Sequence, residues 1–305
     1  MLKYFLRRCL YAVFVLLGVA TVVFFLTRLT GNPVAIMLPP DATQAQILSM
    51  TKSLGLDKPI YIQYAIYMRD LLRLDFGQSI RYNEPALRII LERLPATIKL
   101  ASTALVISLL LGIPIGIISA LKRDTLLDKG IMVFALFGQT MPSFWLGIML
   151  ILIFAVNLRW FPTGGMGDWK TIILPAITLG LSLMALVSRL LRSSLIEALG
   201  ADYIRTARAK GLRQWKVVSK HALRNSLLPV VTVIGLEIGS LLGGSVVTET
   251  VFAWPGVGQM LVQAINNRDY PLVQAAIIFI AIAFVFINLI VDILYAFIDP
   301  RIEYD

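Results

Sequence analysis

Cysteine and histidine are nearly absent from this 305-residue sequence, which contains one of each, Cys9 and His221. A disulfide within the chain requires two cysteines, and the Cys/His sites that hold zinc require several such ligands. The sequence therefore excludes a disulfide scaffold and a Cys/His metal centre, and we expect no resident metal. It also lacks a G-x-x-x-x-G-K-[ST] loop, whose backbone amides hold nucleotide phosphates, so we expect no cofactor on this chain.

Charged residues are also scarce, at 15% of the sequence against 58% hydrophobic residues, and the mean hydropathy is +0.80. Soluble globular proteins are roughly half apolar, so this composition indicates a membrane protein. The net charge of +10 could suggest a nucleic-acid partner, but the Lys and Arg residues lie between apolar segments and form no single basic face. We therefore expect membrane lipid around the chain and no nucleic acid.

Long apolar segments are abundant. A hydrocarbon core about 30 Å thick needs roughly 20 apolar residues per helical crossing. Segments near that length predict an all-α polytopic membrane protein with six transmembrane helices. They lie at about 9–27, 98–121, 131–156, 171–191, 228–248 and 273–297. The first could also be a secretory signal, but it is near full spanning length and no small-x-small cleavage site follows it, so we interpret it as an uncleaved helix.

The distribution of basic residues predicts the orientation of the spans. Basic residues precede the first span, lie between the second and third, and are densest between the fourth and fifth. They are Lys3, Arg7, Arg8, Lys122, Arg123, Lys129 and the Lys and Arg residues of 192–224. The 157–170 loop has only Arg159 and Lys170. Since short cytoplasmic loops are enriched in Lys and Arg, both termini are expected in the cytoplasm.

The segment between the first and second spans, 29–97, is too patterned for a linker. Its apolar residues recur at a spacing of three to four. They are Ile60, Tyr64, Tyr67, Met68 and Leu71. This spacing predicts a short helix with an apolar stripe that lies on the membrane face or on another subunit. We expect two or three small helices in this segment.

The cytoplasmic stretch 194–226 is polar and basic, yet it is rich in helix-forming residues. Asp202 is the predicted N-cap of a helix of about two turns, which Gly211 can end in the left-handed conformation. A second helix over about 214–225 would lead to Pro229 at the start of the fifth span. These two helices would form a rigid elbow for a partner. The alternative is a solvated loop on anionic lipid headgroups, to which each Lys or Arg contributes about 1 kcal/mol.

Within this stretch, DYIRTARAKG at 202–211 resembles the EAA loop of permease subunits in bacterial ATP-binding-cassette importers, in the version found in dipeptide, oligopeptide and nickel permeases. Further matching motifs are LGLDKP at 54–59, DFGQS at 75–79, MPSFWLG at 141–147, HALRN at 221–225, WPGVG at 254–258, NRDYP at 267–271 and DPR at 299–301. They cover nearly the whole chain in the expected order. The first-subunit type, with a large external loop after helix one, fits best.

Two departures from the general EAA motif are visible. Arg205 and Thr206 stand where that motif has Glu and Ala, and His221, Leu223 and Arg224 stand where it has Ile, Leu and Pro. Both departures suit the peptide branch of the family.

The resemblance implies a type-I importer permease fold and a division of the chain. The implied parts are an N-terminal transmembrane helix at 1–28, an external helical loop at 29–97, a permease domain at 95–297 that includes the coupling loop 194–226, and a cytoplasmic tail at 298–305. It also implies a bacterial plasma membrane location and three kinds of partner: a second homologous permease, two ATPase subunits that bind ATP and Mg²⁺, and an external substrate-binding protein. This chain itself would not be an enzyme.

In the family, the short cytoplasmic helix docks into a groove on the ATPase. The coupling residues that the resemblance implies here are Glu197, Asp202, Arg205, Thr206, Ala207, Arg208, Lys210 and Gly211. They transmit force and are not catalytic.

The fifth span holds an ionisable residue, Glu237, among small residues. An ionisable group inside a membrane is a functional candidate, so Glu237 could meet the ammonium group of a peptide or a cation. The alternative is a carboxyl that is protonated or paired within the bundle. The neighbouring Gly239, Ser240 and Gly243 are candidates to line a pore, although small residues also serve close helix packing.

After the fifth span, the sequence TETVFAWPGVGQM contains the helix breakers Pro255, Gly256 and Gly258, and we expect no regular helix there. Trp254 is expected at the membrane interface, where aromatic side chains anchor. The stretch to Tyr270 is either a plain external turn or a re-entrant segment that caps the mouth of the pore. Trp254, Pro255, Gly256 and Gly258 are therefore candidate residues of an external gate.

The resulting functional hypothesis is a permease subunit that forms half of the transmembrane path for small peptides delivered by the binding protein. Relatives of this shape also carry glutathione or nickel chelates, and those substrates remain open. A self-sufficient channel or secondary transporter is the alternative from another class, and it would work without an ATPase.

Overall fold

The structure, a computed structural model, describes residues 2–29, 42–53 and 55–298. Residues 30–41 of the expected external loop, most of the expected tail 298–305 and the DPR motif lie outside them. The helices are α1 (Leu2–Leu29), α2 (Gln44–Ser53), α3 (Ile60–Leu72), α4 (Ala86–Leu121), α5 (Leu126–Thr140), α6 (Ser143–Leu150), α7 (Ile173–Gly200), α8 (Asp202–Ala209), α9 (Gln214–Lys216), α10 (Leu223–Val251), α11 (Val257–Asn266) and α12 (Tyr270–Ile298). Wider π-helical turns at Ile151–Asn157 and Val217–Ala222 extend α6 and join α9 to α10. The described ranges contain no β-strand.

Among the described residues, five helical segments are long and apolar enough to cross a membrane. They are Leu10–Leu29, Ala86–Leu121, Ile173–Gly200, Gln214–Val251 and Tyr270–Val291. A sixth crossing exists if the bent pair α5 and α6 counts as one. Because a helix satisfies its own backbone hydrogen bonds, it is the form that these apolar residues take in lipid. The prediction of an all-α polytopic protein is confirmed.

The third predicted span, 131–156, is not one continuous helix. The chain bends by 110° between Leu126–Thr140 and Ser143–Asn157. The break lies at Met141, whose ψ is 131°, followed by Pro142 with ψ 132°. Proline excludes the preceding residue from the helical region by steric clash, and this clash explains why the helix stops at that point.

The stretch 194–226 is more helical than expected. α7 continues to Gly200, and one helical run extends from Gln214 to Val251 through Pro229. The expected boundary between a second short helix and the fifth span is therefore wrong. A proline removes one backbone hydrogen bond, and long membrane helices tolerate that loss.

The segment after α1 contains the short helices α2 and α3, as predicted. Part of its apolar stripe contacts α1 of the same chain. Tyr64 and Tyr67 lie with their ring centroids 5.3 Å from that of Phe24 on α1, and the Tyr64 hydroxyl is 2.7 Å from Thr21 Oγ1. α3 therefore packs on the chain's own first span. Contacts between aromatic rings stabilise such packing beyond the burial of their apolar area.

The chain forms two compact units. Among the described residues, the first contains those up to Pro95 together with Gly256–Phe286, and the second contains Ala96–Pro255 and those from 287 to 298. The core of the first includes Ile90, Met260 and Leu272. The core of the second includes Leu100, Leu183 and Trp254.

Glycines allow α4 and α7 to approach closely in the second unit. A Cβ added at Gly180 would lie 2.5 Å from Ser108 Oγ and 2.7 Å from Ala104 O, and one at Gly116 would lie 2.8 Å from Ser188 O. Such close backbone contact between small residues is a main source of helix association in membranes. These glycines position α7, which leads directly into the short helix α8.

Candidate coupling elbow and translocation cleft

The short helix α8 begins one residue earlier than expected. Asp202 is its first residue, Ala201 occupies the N-cap, and no side chain caps the helix. The prediction that Asp202 caps this helix is therefore wrong. The predicted end is confirmed: Lys210 is the C-cap, and Gly211 follows with φ +74°, a conformation that glycine adopts without steric cost.

The inner face of α8 anchors it to the second unit. Ile204 is 0% exposed and Ala207 is 6% exposed. Both belong to one apolar cluster with Leu195 of α7 and Val217 of the turn after α9. Ala207 thus lies inside the chain's own core, away from the surface that a partner could contact.

The outer face of α8 is polar and basic. The other residues expected to couple are exposed: Glu197, Asp202, Arg205, Thr206, Arg208, Lys210 and Gly211. Arg205 forms a 3.4 Å ion pair with Asp202 on this surface. Trp215 just beyond it is 71% exposed, a position that the sequence analysis missed although an aromatic residue in a basic stretch is unusual. The elbow therefore presents cations and an aromatic ring around a helix whose other side is buried.

A buried ion pair holds the elements that lead into this elbow. Arg192 of α7 donates to Asp128 of α5 through Nε at 2.7 Å and Nη2 at 2.6 Å. Ser119 Oγ at the end of α4 and the Asp124 amide also donate to the same carboxylate. Asp128 is 2% exposed, so a charge-assisted, bidentate bond in this position joins three helices. This ion pair was not predicted, because its two residues lie far apart in the chain. The feature of the sequence that could have indicated it is an arginine next to an apolar span, since such a charge requires a partner.

Glu237 lines a cleft of about 190 Å³ in the second unit. Other polar residues at its wall are Ser143, Thr178, Ser182 and Ser240. Ser240 Oγ donates to Glu237 Oε2 at 2.5 Å, and no basic group of the described residues lies within ion-pair distance of this carboxylate. Glu237 is thus not paired with a cation within the second unit.

The other two small residues expected to line a pore do not lie at this cleft. Gly239 is buried within the bundle, and a Cβ added at Gly243 would meet no atom within 4 Å. The four candidates therefore divide into two that face the cleft, one that packs and one that faces open space.

The segment after the fifth span differs from the expectation. Residues 248–251 continue α10, and only 252–256 break the helical path before α11. Trp254 is fully buried and its Nε1 donates to the Ala96 carbonyl at 2.9 Å, so its side chain packs inside the protein and does not anchor in lipid as expected. Pro255 is half-buried, Gly256 precedes α11 in extended conformation, and Gly258 is buried. This turn is a packed element held by a buried indole.

In the first unit, the structure joins two of the motifs. Asp269 of the NRDYP motif accepts hydrogen bonds from Ser79 Oγ of the DFGQS motif at 2.5 Å and from the Ile80 amide at 3.1 Å. Ser79 and Asp269 are 190 residues apart in the sequence. Asp269 is 1% exposed. A buried carboxylate with several donors fixes both segments, since its bonds are stronger than those between neutral groups.

The family model described as "Binding-protein-dependent transport system inner membrane component" matches residues 112–304, and the model of the N-terminal part of such membrane components matches residues 1–101. The chain belongs to this family. Its elbow, its cleft and the Trp254 turn all lie within the first match. The resemblance seen in the motifs is confirmed.

Full-length relatives are permeases of named transport systems. The chain is 42% identical to the dipeptide transport system permease protein of Alkalihalophilus pseudofirmus, 43% identical to the glutathione transport system permease protein of Salmonella choleraesuis and 41% identical to an oligopeptide transport system permease protein of Bacillus subtilis. Each match covers 100% of this chain and 100% of the relative.

Solved structures support the type-I permease fold. A structure of the MetNI methionine ABC transporter in inward-facing conformations matches with a TM-score of 0.57 and 17% identity, over 70% of this chain and 97% of that one. An amino acid ABC transporter crystallised with histidines matches with a TM-score of 0.52 and 15% identity, over 71% of this chain and 95% of that one.

The chain is therefore a multi-pass permease subunit of an ATP-binding-cassette importer. Permeases of this family work with ATPase subunits and substrate-binding proteins, and they are not enzymes themselves. Within the described ranges, no group of three or more His, Cys, Asp or Glu side chains could hold a metal ion. With this geometry, the elbow can transmit motion from α8 to α7, and the cleft beside Glu237 can offer polar groups to a substrate.

Proposed function

We propose that this permease forms half of a transmembrane path for small peptides across a bacterial plasma membrane, with both termini in the cytoplasm. A second homologous permease would supply the other half, two ATPase subunits would bind ATP and Mg²⁺, and an external binding protein would deliver the peptide. The names of the full-length relatives support this substrate class: they carry dipeptides, oligopeptides and glutathione, which is itself a small peptide.

The observation that supports coupling is the two-sided helix α8. Its inner residues Ile204 and Ala207 are buried in the second unit, so a push on the helix is transmitted to α7. Its outer residues Arg205, Arg208 and Lys210 are exposed and can dock on a complementary groove of an ATPase. Closure of the ATPases on ATP would move α8 and turn the bundle from inward to outward opening.

Copurification followed by uptake tests this function. The tagged chain, purified in mild detergent, should bring with it two ATPase subunits and a second permease, identified by mass spectrometry. Vesicles containing the complex and the binding protein should take up a labelled dipeptide only with ATP. Unlabelled peptide, glutathione and a nickel chelate, added as competitors, identify the preferred substrate. A chain that transports alone, without ATP, is instead a channel or secondary transporter.

We expect Glu237 to contact the substrate. A carboxylate in a polar cleft, with no cation beside it, suits the ammonium group of a peptide. The variant Glu237→Gln keeps the shape and removes the charge, and peptide uptake from the saturated binding protein should fall about tenfold, since a hydrogen bond to a charged group contributes roughly 1.5 kcal/mol.

Glu92→Gln is the matched control, because this substitution makes the same chemical change at an exposed residue, beside Arg88. Uptake by this variant should equal that of the unaltered complex. If Glu237→Gln also transports peptide at the original rate, Glu237 has no role in substrate binding.

A further inference from the structure

A second, larger cavity lies in the first unit. It has a volume of about 500 Å³, and its walls come from the end of α1, from α2 and α3, and from the start of α12. Arg28 lies in the last turn of the span Leu10–Leu29, and Gln274 lies in the second turn of the span Tyr270–Val291. The cavity therefore sits where two spans leave the hydrocarbon core, at the depth of lipid headgroups.

Four basic and two acidic side chains line this cavity. Arg28, Lys52 and Lys58 have no carboxylate of the described residues within ion-pair distance. The fourth cation, Arg69, is paired with Asp70 at 2.8 Å, and Asp75 is the second acidic residue of the wall. The cavity therefore carries net positive charge and attracts an anion.

Three polar atoms of the lining side chains are buried without a hydrogen-bond partner among the described residues: Arg28 Nε, Tyr67 Oη and Gln63 Oε1. A buried polar atom left unpaired costs about 1–3 kcal/mol, so three of them on side chains that line one cavity favour a ligand that can pair with them. Burial, and then the nearby Tyr64, raise the pKa of the Tyr67 phenol, which therefore stays protonated as a donor.

The orientation of the Gln63 amide gives the cavity an acceptor. Its Nε2 donates to the carbonyl oxygens of Lys58 at 2.8 Å and Leu56 at 3.3 Å. Since carbonyls only accept, these bonds determine which end of the amide is nitrogen, and Oε1 is left for a donor. The ligand must therefore carry both an anionic group and a hydrogen-bond donor.

We propose that this cavity binds a phosphodiester that carries a hydrogen-bond donor, as in the headgroup of phosphatidylethanolamine or phosphatidylglycerol. The phosphate contacts Arg28, Lys52, Lys58 and the Tyr67 hydroxyl, and the amine or hydroxyl tip contacts Gln63 Oε1. Arg and Lys both bind phosphate well, and basic pockets between spans bind lipid headgroups. The site would anchor α2 and α3 to lipid.

Native mass spectrometry of the delipidated, detergent-purified complex tests this site. Titration with phosphatidylethanolamine should show a saturable bound lipid. The double variant Lys52→Ala/Lys58→Ala should bind it about tenfold or more weakly, and Tyr67→Phe should bind it several-fold more weakly, as expected for lost charge-assisted hydrogen bonds. Lys170→Ala, which removes an exposed lysine outside the cavity, is the matched control and should not change binding.

Two further ligands test whether the bound molecule is a lipid or a soluble metabolite, and whether it needs a hydrogen-bond donor. Soluble glycerophosphoethanolamine has the same phosphodiester; if it competes at equal concentration, the ligand is a free metabolite of this class, and if it does not, the ligand is lipid. Phosphatidylcholine, whose quaternary ammonium has no N–H, should bind more weakly than phosphatidylethanolamine. Equal binding of lipid by the unaltered complex, the double variant and Tyr67→Phe overturns the proposal.

Discussion

Gly211→Pro should abolish most ATP-driven uptake while the chain still inserts and assembles. Gly211 has φ +74° and its amide donates to the Arg208 carbonyl at 2.9 Å. Proline holds φ near −65° and has no N–H, so the end of α8 must change direction. Coupling free energies between sites are typically about 1–3 kcal/mol, so uptake should fall by about 5- to 150-fold while ATP hydrolysis continues. Parallel assays of uptake and phosphate release in vesicles measure both.

Gly211→Ala is the control for this prediction. Alanine keeps the N–H and can adopt the left-handed conformation at a cost of about 1–2 kcal/mol, so most of the uptake should remain. A Gly211→Pro complex with normal uptake would contradict the assignment of α8 as the coupling element.

Asp128→Ala should strongly destabilise the second unit. It leaves the Arg192 guanidinium without its bidentate partner, and Ser119 and the Asp124 amide without their acceptor. Breaking a buried ion pair costs about 3–5 kcal/mol, and because the Arg192 side chain remains 23% exposed we expect the lower end of that range. Thermal unfolding of the detergent-solubilised complex measures the effect.

A double-mutant cycle with Arg192→Ala isolates the pair. The double variant should be less destabilised than the sum of the two single variants, since it leaves no buried charge alone. Asp202→Ala, which breaks the exposed pair with Arg205, is the matched control and should leave the unfolding temperature unchanged. The prediction fails if Asp128→Ala and Asp202→Ala unfold at the same temperature.

Local patterns predicted several features because their causes are local. The apolar runs predicted the spans, since an 18-residue stretch without charge has few alternatives in lipid. The basic stretch before the fifth span predicted the short helix, and a glycine after its last turn predicted the left-handed end at Gly211. The short motifs were sufficient to identify the family, because each one is a contiguous run of residues.

Boundaries were predicted less well, and the errors share a cause. Hydropathy locates the apolar part of a helix but not the polar turns that continue it, so α7 and the run from Gln214 were taken as shorter than they are. Pro229 and Pro142 have opposite outcomes: the helix continues through the first and breaks before the second. The context of each proline, and not its presence, decides this.

The sequence by itself determined the helical type of the elements, the membrane class and the family, because these follow from residue periodicity, apolar length and short motifs. Only the tertiary structure decided which side chains meet. It placed Trp254 in the core, Tyr64 against α1, Asp269 on a motif 190 residues away, and Asp128 beside Arg192. The physical reason is that the free energy of a buried polar or aromatic group depends on its partners, and partners distant in sequence leave no periodic signal.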